Sequence, residues 1–578
     1  MSRDSHQFYE LSDRPATRQN VYTPASTTES TVHAVTPDPT ADNTDDDAEK
    51  HPEYASGFRL AAVTTGLVLA AFCLGLDRSI ISTAIPKITS EFDSLDDVAW
   101  YGSAFLLTTC CFQLMFGKLY IEYNATFIFL FALLVFEVGS IVCAAAPSSL
   151  ALIVGRAVAG IGCAGITSGA LIIIARILPL EKRPMFTGAI GACSGVAQIV
   201  APTLGGVFTD RLTWRWCFWI NLPLGAVTAI TVFLFVKLPN RPKGAVPNTF
   251  RTIISKLDLF GSFFLIPYLI CLLLALQWGG TTYAWSNWRV ILCLCLFAVL
   301  LLAWLYVQHT KGDNATMSFR IVRQRSVASG MMFSMCLSSV MFVVSYYVPI
   351  WFQTVKGVSA EKSGIDFFAA FAPMAVTAVL SGVLTSRIGY YVPQMFISTV
   401  LCSISSGLIY RYNLDTSTAY WAGSLAMFGV GIGSGLQMPM IAVQTVLKGD
   451  DISIGTSLVV LTQALSGSIF LAVGQNLFQA RLVKELTTKV PQVDAKVVMA
   501  SGAADLQKTM TKLYGEQLMR AIVEAYNTAL RRCFLVCVIL SCMTIMGALG
   551  MEWKSVKADE NAKGGAKSAP TKEPEANV

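Results

Sequence analysis

The chain has 578 residues, of which 54% are hydrophobic and only 14% are charged. Soluble domains carry about 25% charged residues, so this composition excludes an ordinary soluble protein and favours a membrane protein. The net charge of +6 is small for this length, and the basic residues cluster between apolar runs, so we expect no nucleic-acid partner.

The first 57 residues form a polar segment ahead of any apolar run. They are rich in Ser, Thr, Asp and Pro and include an acidic run at Asp45–Glu49. Such a composition cannot bury enough apolar surface to fold, so we expect a disordered cytoplasmic tail over 1–57. Because the tail contains no apolar segment, we also expect no cleavable secretory signal.

Apolar runs of about 20 residues then recur along the chain, and each is long enough to cross a bilayer as a helix. We therefore predict an all-α polytopic membrane protein with fourteen transmembrane helices. Loops on the side of the two tails carry about twice as many Lys and Arg residues as the opposite loops, which places both tails in the cytoplasm. The predicted spans lie near 60–82, 99–119, 126–146, 150–174, 186–208, 216–236, 259–277, 289–308, 327–351, 366–386, 393–410, 420–444, 455–478 and 531–551.

The spans divide into two predicted six-helix halves, 58–240 and 327–551, separated by two inserted helices and their loops in 241–326. The second half includes a long outer loop, 479–530, which we expect to be partly helical. A cytoplasmic tail, 552–578, ends the chain.

The two predicted halves share a glycine pattern. Span four contains GIGCAG (Gly160–Gly165), and its counterpart, span twelve, contains GVGIGSG (Gly429–Gly435). Duplicated halves around a midplane cavity are typical of secondary transporters.

Three charged residues within the spans are candidates for proton coupling: Asp77, Glu137 and Arg156. Intramembrane charges cost several kcal/mol and usually mark ion pathways. Asp77 and Arg156 lie at similar depth, so they can form a pair, and Glu137 lies nearer the midplane as a second proton acceptor. The alternative is structural, with Asp77 capping its span and Arg156 joining helices.

Uncharged polar and aromatic residues in the spans are candidates to line a cavity for bulky, mostly apolar compounds. The alternative roles are helix–helix hydrogen bonding for the glutamines and an interfacial belt for the aromatic residues. We favour the belt for Trp285, Trp288 and Trp351. The predicted cavity residues are Gln113, Gln198, Tyr346, Phe352, Gln437, Gln444, Gln463 and Gln475.

The sequence gives no support for metal binding, a cofactor or enzyme activity. Most of the fifteen cysteines fall inside apolar runs without CxxC spacing, which indicates buried thiols and no metal site. The chain has no P-loop, and neither HExxH nor GxSxG occurs in a suitable context. We predict no cofactor, no metal and no enzyme activity. The sequons at Asn124 and Asn314 fall in loops assigned to the cytoplasm, where neither would be glycosylated.

Four stretches resemble motifs of a known family. LDRSIISTAIP (Leu76–Pro86) is similar to LDxTIVxxAxP, and GRAVAGIGCAG (Gly155–Gly165) is similar to RxxxGxGxA. GVAQIVAPTLGG (Gly195–Gly206) is similar to an antiporter motif ending in GPxxGG, and WRWCFWINLPLG (Trp214–Gly225) follows it. Over about 58–551 the chain resembles the fourteen-span drug–proton antiporter branch of the major facilitator superfamily, in particular fungal toxin-efflux carriers.

The resemblance implies proton-coupled efflux of small amphipathic molecules by alternating access, with Arg156 associated with proton coupling. Its antiporter motif would use Gly195, Pro202, Gly205 and Gly206 for close helix approach and a kink. The expected partners are a small-molecule substrate, protons and the lipid bilayer, and the protein is expected to be a monomer. We place it in the plasma membrane, with the vacuolar membrane as the alternative.

Two other functions stay open at this point: a proton-coupled importer of a siderophore or nutrient, and a membrane sensor that does not transport. Two departures from the family pattern also bear on mechanism. Ala201 replaces the glycine before Pro202, and in GKLYIEYNATF (Gly117–Phe127) Ile121 stands where the superfamily has an aspartate. The gating role of that aspartate would then fall to Glu122 or be absent.

Overall fold

The structure is a computed structural model that describes residues 56–94, 97–236, 258–280, 282–493, 498 and 502–557. The predicted tails up to residue 55 and from residue 558 lie outside these ranges. Within them, fourteen helices are long and apolar enough to cross a membrane, which confirms the predicted count. The described residues contain isolated β-bridges and no β-strand.

We number the membrane helices in chain order. They are α1 (Gly57–Phe92), α2 (Val98–Glu122), α3 (Ala125–Ala144), α4 (Ser149–Ile177), α5 (Arg183–Arg211), α6 (Trp216–Phe235), α7 (Leu259–Trp278), α8 (Trp288–Lys311), α9 (Arg325–Thr354), α10 (Ala360–Ile388), α11 (Val392–Tyr410), α12 (Thr418–Val446), α13 (Asp451–Lys489) and α14 (Gly502–Gly550). Because a backbone in lipid has no water to bond, these apolar runs satisfy their own hydrogen bonds as helices.

Helices α1–α6 pack into one bundle and α9–α14 into a second, while α7 and α8 pack against each other and α7 lies on α2. We call these the first and second bundles. The two glycine patterns pack in equivalent ways: Gly162 of α4 lies against Phe136 of α3, and Gly431 of α12 lies against Cys402 of α11. Glycines at these positions allow close helix approach.

Two helices extend beyond their predicted spans into the segment expected to be a partly helical loop. Helix α13 continues to Lys489, and the buried carboxylate of Glu485 forms ion pairs there with Arg481 at 2.6 Å and Lys489 at 3.1 Å. Helix α14 begins at Gly502 and bends at Gly515, whose φ of 80° suits glycine. Helix therefore takes up most of the segment 479–530.

A buried aspartate joins the inserted helices to the start of the second bundle. Asp258 caps α7 and lies 2.7 Å from Lys311 Nζ at the end of α8. Its carboxylate also accepts hydrogen bonds from Gln308, at 3.0 Å, and from the amide and hydroxyl of Thr316, at 2.9 and 2.7 Å. Burial alone would raise the pKa of this carboxyl, but these donors outweigh burial and hold the pKa below its usual value.

We expect Asp258→Asn to lower the free energy of unfolding by about 3 kcal/mol, because it leaves a partly buried lysine without its counter-charge. Asparagine tolerates the left-handed backbone of this position (φ 46°), so the loss of stability would come from the missing charge and not from backbone strain. Since folding depresses the carboxyl pKa, its stabilisation is complete above the unfolded pKa of about 3.9 and is lost as pH falls through the folded value.

The measurement is thermal unfolding in detergent at pH 7 and at successively lower pH. The gap between wild type and Asp258→Asn should narrow only below about pH 4. Asp313→Asn is the matched control, because that aspartate pairs with Arg320 on the surface and should leave unfolding unchanged. An equal effect of both substitutions would contradict the assignment.

Candidate functional site

The first bundle holds a buried ion pair between α1 and α4. Arg156 Nη1 donates to Asp77 Oδ2 at 2.7 Å, and the two residues are 1% and 0% exposed. Arg156 Nε also donates to the Tyr101 carbonyl at 3.0 Å, and its guanidinium lies 4.4 Å from the ring centroid of Phe105. The pairing expected from their similar depth is therefore present. A buried pair of this kind persists only where hydrogen bonds satisfy both charges.

Asn221 of α6 completes the partners of Asp77. Its amide nitrogen donates to Asp77 Oδ1 at 3.1 Å and to Ser140 Oγ of α3 at 3.1 Å. The Asn221 side-chain oxygen accepts from the Cys73 thiol at 3.5 Å. Sequence reasoning assigned Asn221 no role, although a lone amide in an apolar run was a signal that could have found it. One amide thus links three helices around the aspartate.

Glu137 lies one turn before Ser140 on α3 and packs against Gly225 of α6. Neither of its carboxylate oxygens has a hydrogen-bond partner among the described residues. The structure therefore brings Asp77, Arg156 and Glu137 into one region of the first bundle, with Asn221 between α1 and α3. An unpartnered carboxylate in a low-dielectric site can take up a proton more readily than a paired one.

A fourth intramembrane charge, Arg78, escaped the sequence reasoning because it adjoins Asp77. Its side chain is exposed, in contrast to the buried Asp77 beside it. Nη2 of Arg78 lies 3.3 Å from the Cys163 sulfur of α4. Successive helical residues point about 100° apart, so α1 directs one charge into the bundle and the next to accessible space.

The predicted cavity residues divide by burial. Gln198, Gln437, Gln463 and Gln475 are half-buried and Tyr346 is exposed. The remaining three are buried: Gln113 donates to Ser168, Gln444 has no partner among described residues, and Phe352 packs against Trp421. In this conformation these three do not line an accessible cavity.

One aromatic prediction is wrong. Trp351, favoured for an interfacial belt, is fully buried, stacks 4.7 Å from Tyr412 and donates its indole N–H to Asn527 Oδ1 at 3.0 Å. Residues far away in sequence supply both partners, which is why spacing alone misplaced it. Trp285 and Trp288 are exposed, at 44% and 66%.

The two bundles meet near the ends of the helices on the side where both described termini leave the membrane, which we call the tail side. Gly188 of α5 packs on the Ala378 carbonyl of α10, and Gly382 of α10 packs on the Pro184 carbonyl of α5. This reciprocal pair is the α5–α10 gate. Gly188 lies four residues after Pro184, and Gly382 lies four residues after Ala378. The same contact is therefore made twice, once from each helix, so the arrangement is two-fold.

A second contact between bundles joins α2 and α4 to α13. Gly117 lies against Ser457, and the Ser168 and Ser457 hydroxyls are 3.4 Å apart. At the opposite end of α2 and α5, a side chain added at Gly102 or Gly206 would meet no atom within 4 Å. The described bundles thus contact each other on the tail side through both the α5–α10 gate and the α2–α13 contact.

Ile121, which stands in place of an aspartate, is buried on the tail side. It belongs to an apolar cluster that includes Leu171 of α4, Val443 of α12 and Ile454 of α13. The contact between bundles at this position is therefore made by apolar packing. Ala201, the other departure, is buried in an α5 that continues through Pro202.

Within the described ranges, no group of three His, Cys, Asp or Glu side chains could hold a metal ion. All fifteen cysteines are free thiols, and ten of them are buried in the helices.

A fourteen-helix protein with two packed bundles and a buried ion pair has the architecture of a secondary transporter. The sequence profile of the Major Facilitator Superfamily matches residues 67–471. The proton:xylose symporter XylE, solved with 6-bromo-6-deoxy-D-glucose, shares the fold with a TM-score of 0.54 at 12% identity, over 86% of this chain and 98% of that chain.

Curated relatives are much more similar. The MFS-type efflux pump MFS1 of Arthroderma benhamiae is 47% identical over 506 residues, which cover 87% of this chain and 93% of that protein. The efflux pump aflT of Aspergillus parasiticus is 42% identical over 513 residues, or 89% and 99% of the two chains. The aspyridones efflux protein of Neocamarosporium betae is 44% identical over 503 residues, or 87% and 88%. The chain belongs to the major facilitator superfamily.

Proposed function

We propose that this protein is a proton-coupled exporter of small amphipathic molecules, working by alternating access between its two bundles. The observation that carries the proposal is the buried Asp77–Arg156 pair, whose carboxylate is held by both Arg156 and Asn221. The relatives' names, which describe efflux pumps, support export as the direction. The protein is then a transporter and not an enzyme.

With both tails in the cytoplasm, as this proposal has them, the α5–α10 gate lies at the cell interior and must open to admit cargo. A proton that binds Asp77 removes its charge and leaves Arg156 without a counter-ion. That change favours a different packing of α1 against α4, which re-opens the tail side. Coupling requires that proton and cargo bind the two conformations with different affinity, because equal affinity shifts no population.

Glu137 is the second proton site of this proposal. Its carboxylate has no described hydrogen-bond partner, and Ser140, one turn away, accepts from Asn221. A proton can therefore reside on Glu137 while Asp77 stays paired. Asn221 lies between α3 and α1, so its hydrogen bonds would respond to the protonation of Glu137 on one side and of Asp77 on the other.

The cargo space lies between the bundles, where Gln198 of α5 and Gln437 of α12 are half-buried. Few charges and many apolar residues line the helices here, which suits cargo with a large apolar body. We place the protein in the plasma membrane as a monomer.

The test compares small molecules inside cells and in the medium, by mass spectrometry, for the parent strain and a strain that lacks the gene. We expect at least one amphipathic compound to accumulate inside the deletion strain and to fall outside, and re-expression to restore the parental distribution. A compound left unused in the medium by the deletion strain would identify an importer and overturn export.

A further inference from the structure

Arg78 is an intramembrane cation for which the mechanism above has no use. It lies within the candidate membrane span Gly57–Ile81 of α1, three residues before the end of that span. Its neighbour Asp77 is committed to Arg156 and Asn221. Among the described residues Arg78 forms no ion pair, and its polar contact is the Cys163 thiol at 3.3 Å.

The exposed guanidinium lies against α4, and the next residue of α1, Ser79, contacts α5. Along α5, Gly188, Gly191 and Gly195 contact Ala378, Gln437 and Met374 of the second bundle. Gln198 continues this face of α5 by helical spacing, and its carbonyl accepts from the Ser79 hydroxyl at 3.4 Å. Arg78 therefore lies beside the part of α5 that turns toward the second bundle. Cys163 places the guanidinium between α1 and α4.

Apart from Asp77, which is paired with Arg156, and Glu137 of α3, which packs against α6, the helices around Arg78 offer no carboxylate. No Asp, Glu, Lys or Arg occurs in residues 98–117 of α2, 157–175 of α4, 367–386 of α10, 418–446 of α12 or 452–480 of α13. A charged residue inside a membrane span that has no counter-ion of its own usually marks a substrate or ion pathway. Arginine also offers a planar fork of donors that matches a carboxylate.

We propose that Arg78 binds an anionic group of the cargo, so that the substrates are organic acids that carry a carboxylate or similar anion on an apolar body. The inference rests on the proposed function only in taking the space between the bundles as the cargo site. Thr167 of α4, half-buried one turn from Cys163, and the Gln198 amide can bond further polar atoms of the acid. The apolar helices then contact the rest of the molecule.

The test uses 2-naphthylacetate and its neutral amide, two probes of nearly equal shape, and the full chain in detergent. Equilibrium dialysis should show the acid bound about 10-fold more tightly than the amide, as expected for one charge-assisted hydrogen-bonded contact. Arg78→Gln should abolish this preference and leave amide binding unchanged, whereas Arg78→Lys should keep part of it. Arg215→Gln, at a cation paired with Glu91, is the matched control and should change neither affinity.

Equal affinity of the wild-type chain for both probes, or no acid binding at millimolar concentration, would overturn the inference. So would an acid preference that survives Arg78→Gln, or a loss of acid and amide binding in equal measure, which would indicate a structural role. Binding is measured without a gradient and is independent of transport direction. A retained acid preference in a protein that does not export would therefore refute the proposed function alone.

Discussion

The Asp77→Asn variant is expected to lose proton-driven export by at least about 100-fold while it still reaches the membrane. Asparagine keeps the shape of the side chain, but it removes the charge that pairs with Arg156 and, in the proposed mechanism, the carboxylate that takes the proton. Leaving a buried arginine unpaired costs about 3–5 kcal/mol, so the conformational equilibrium also shifts. The measurement is efflux from vesicles driven by an imposed pH gradient, beside cargo exchange at equal pH on both sides.

The comparison of those two assays separates coupling from folding. Asp77→Asn should keep cargo exchange and lose the response to the gradient, while Glu91→Gln, at a surface carboxylate paired with Arg215, should keep both. If the single variant is unstable, Asp77→Asn combined with Arg156→Gln removes both charges and should restore the fold without restoring coupling. Gradient-driven efflux at the wild-type rate in either variant would refute the role of Asp77.

Gly188→Val is the second substitution with a large expected effect. A Cβ at this position would fall on the Ala378 carbonyl, and backbone cannot move aside as a flexible side chain can. The α5–α10 gate would then fail to close, and export should fall by 10- to 100-fold, since overpacking a tight contact costs about 1–3 kcal/mol. Hydrogen exchange should rise at the tail-side ends of α5 and α10, because their contact is lost.

Gly407→Val is the matched control for the gate variant. Gly407 is also a glycine within a membrane helix, but a Cβ there would meet no atom within 4 Å. It should leave both efflux and hydrogen exchange unchanged. Gly382→Val tests the reciprocal side of the gate and should reproduce the effect of Gly188→Val. Export at the wild-type rate with unaltered exchange in both gate variants would exclude this contact as the closure.

The fold was largely accessible from the sequence because lipid imposes a simple rule on apolar runs of about 20 residues. That rule yielded the fourteen helices, and the depth of Asp77 and Arg156 yielded their pairing. It could not yield the ends of α13 and α14, because those ends leave the apolar layer and depend on capping and on ion pairs such as Arg481–Glu485.

The remaining site depended on information that lies outside any single stretch. Whether Phe352 is buried depends on Trp421, about 70 residues further on, and the two sides of the α5–α10 gate come from different bundles. To predict the role of Asn221, one would have to know which face of α6 packs against α1. Arg78 was missed for another reason. Neighbouring residues of a helix point in different directions, so Asp77 points into the bundle while Arg78 points to accessible space. A predicted span whose boundaries are uncertain by several residues cannot distinguish these two directions.

The roles proposed for Asp77 and Arg78, which are adjacent on α1, have an electrical consequence. A proton entering on Asp77 and a monoanion leaving from Arg78 move charge in the same electrical sense, so at one proton per anion each cycle carries two charges inward. A membrane voltage of 100 mV, negative inside, would then contribute about 4.6 kcal/mol to export, at about 2.3 kcal/mol per charge. Current would accompany every turnover, and depolarising the membrane would slow the carrier even at constant pH.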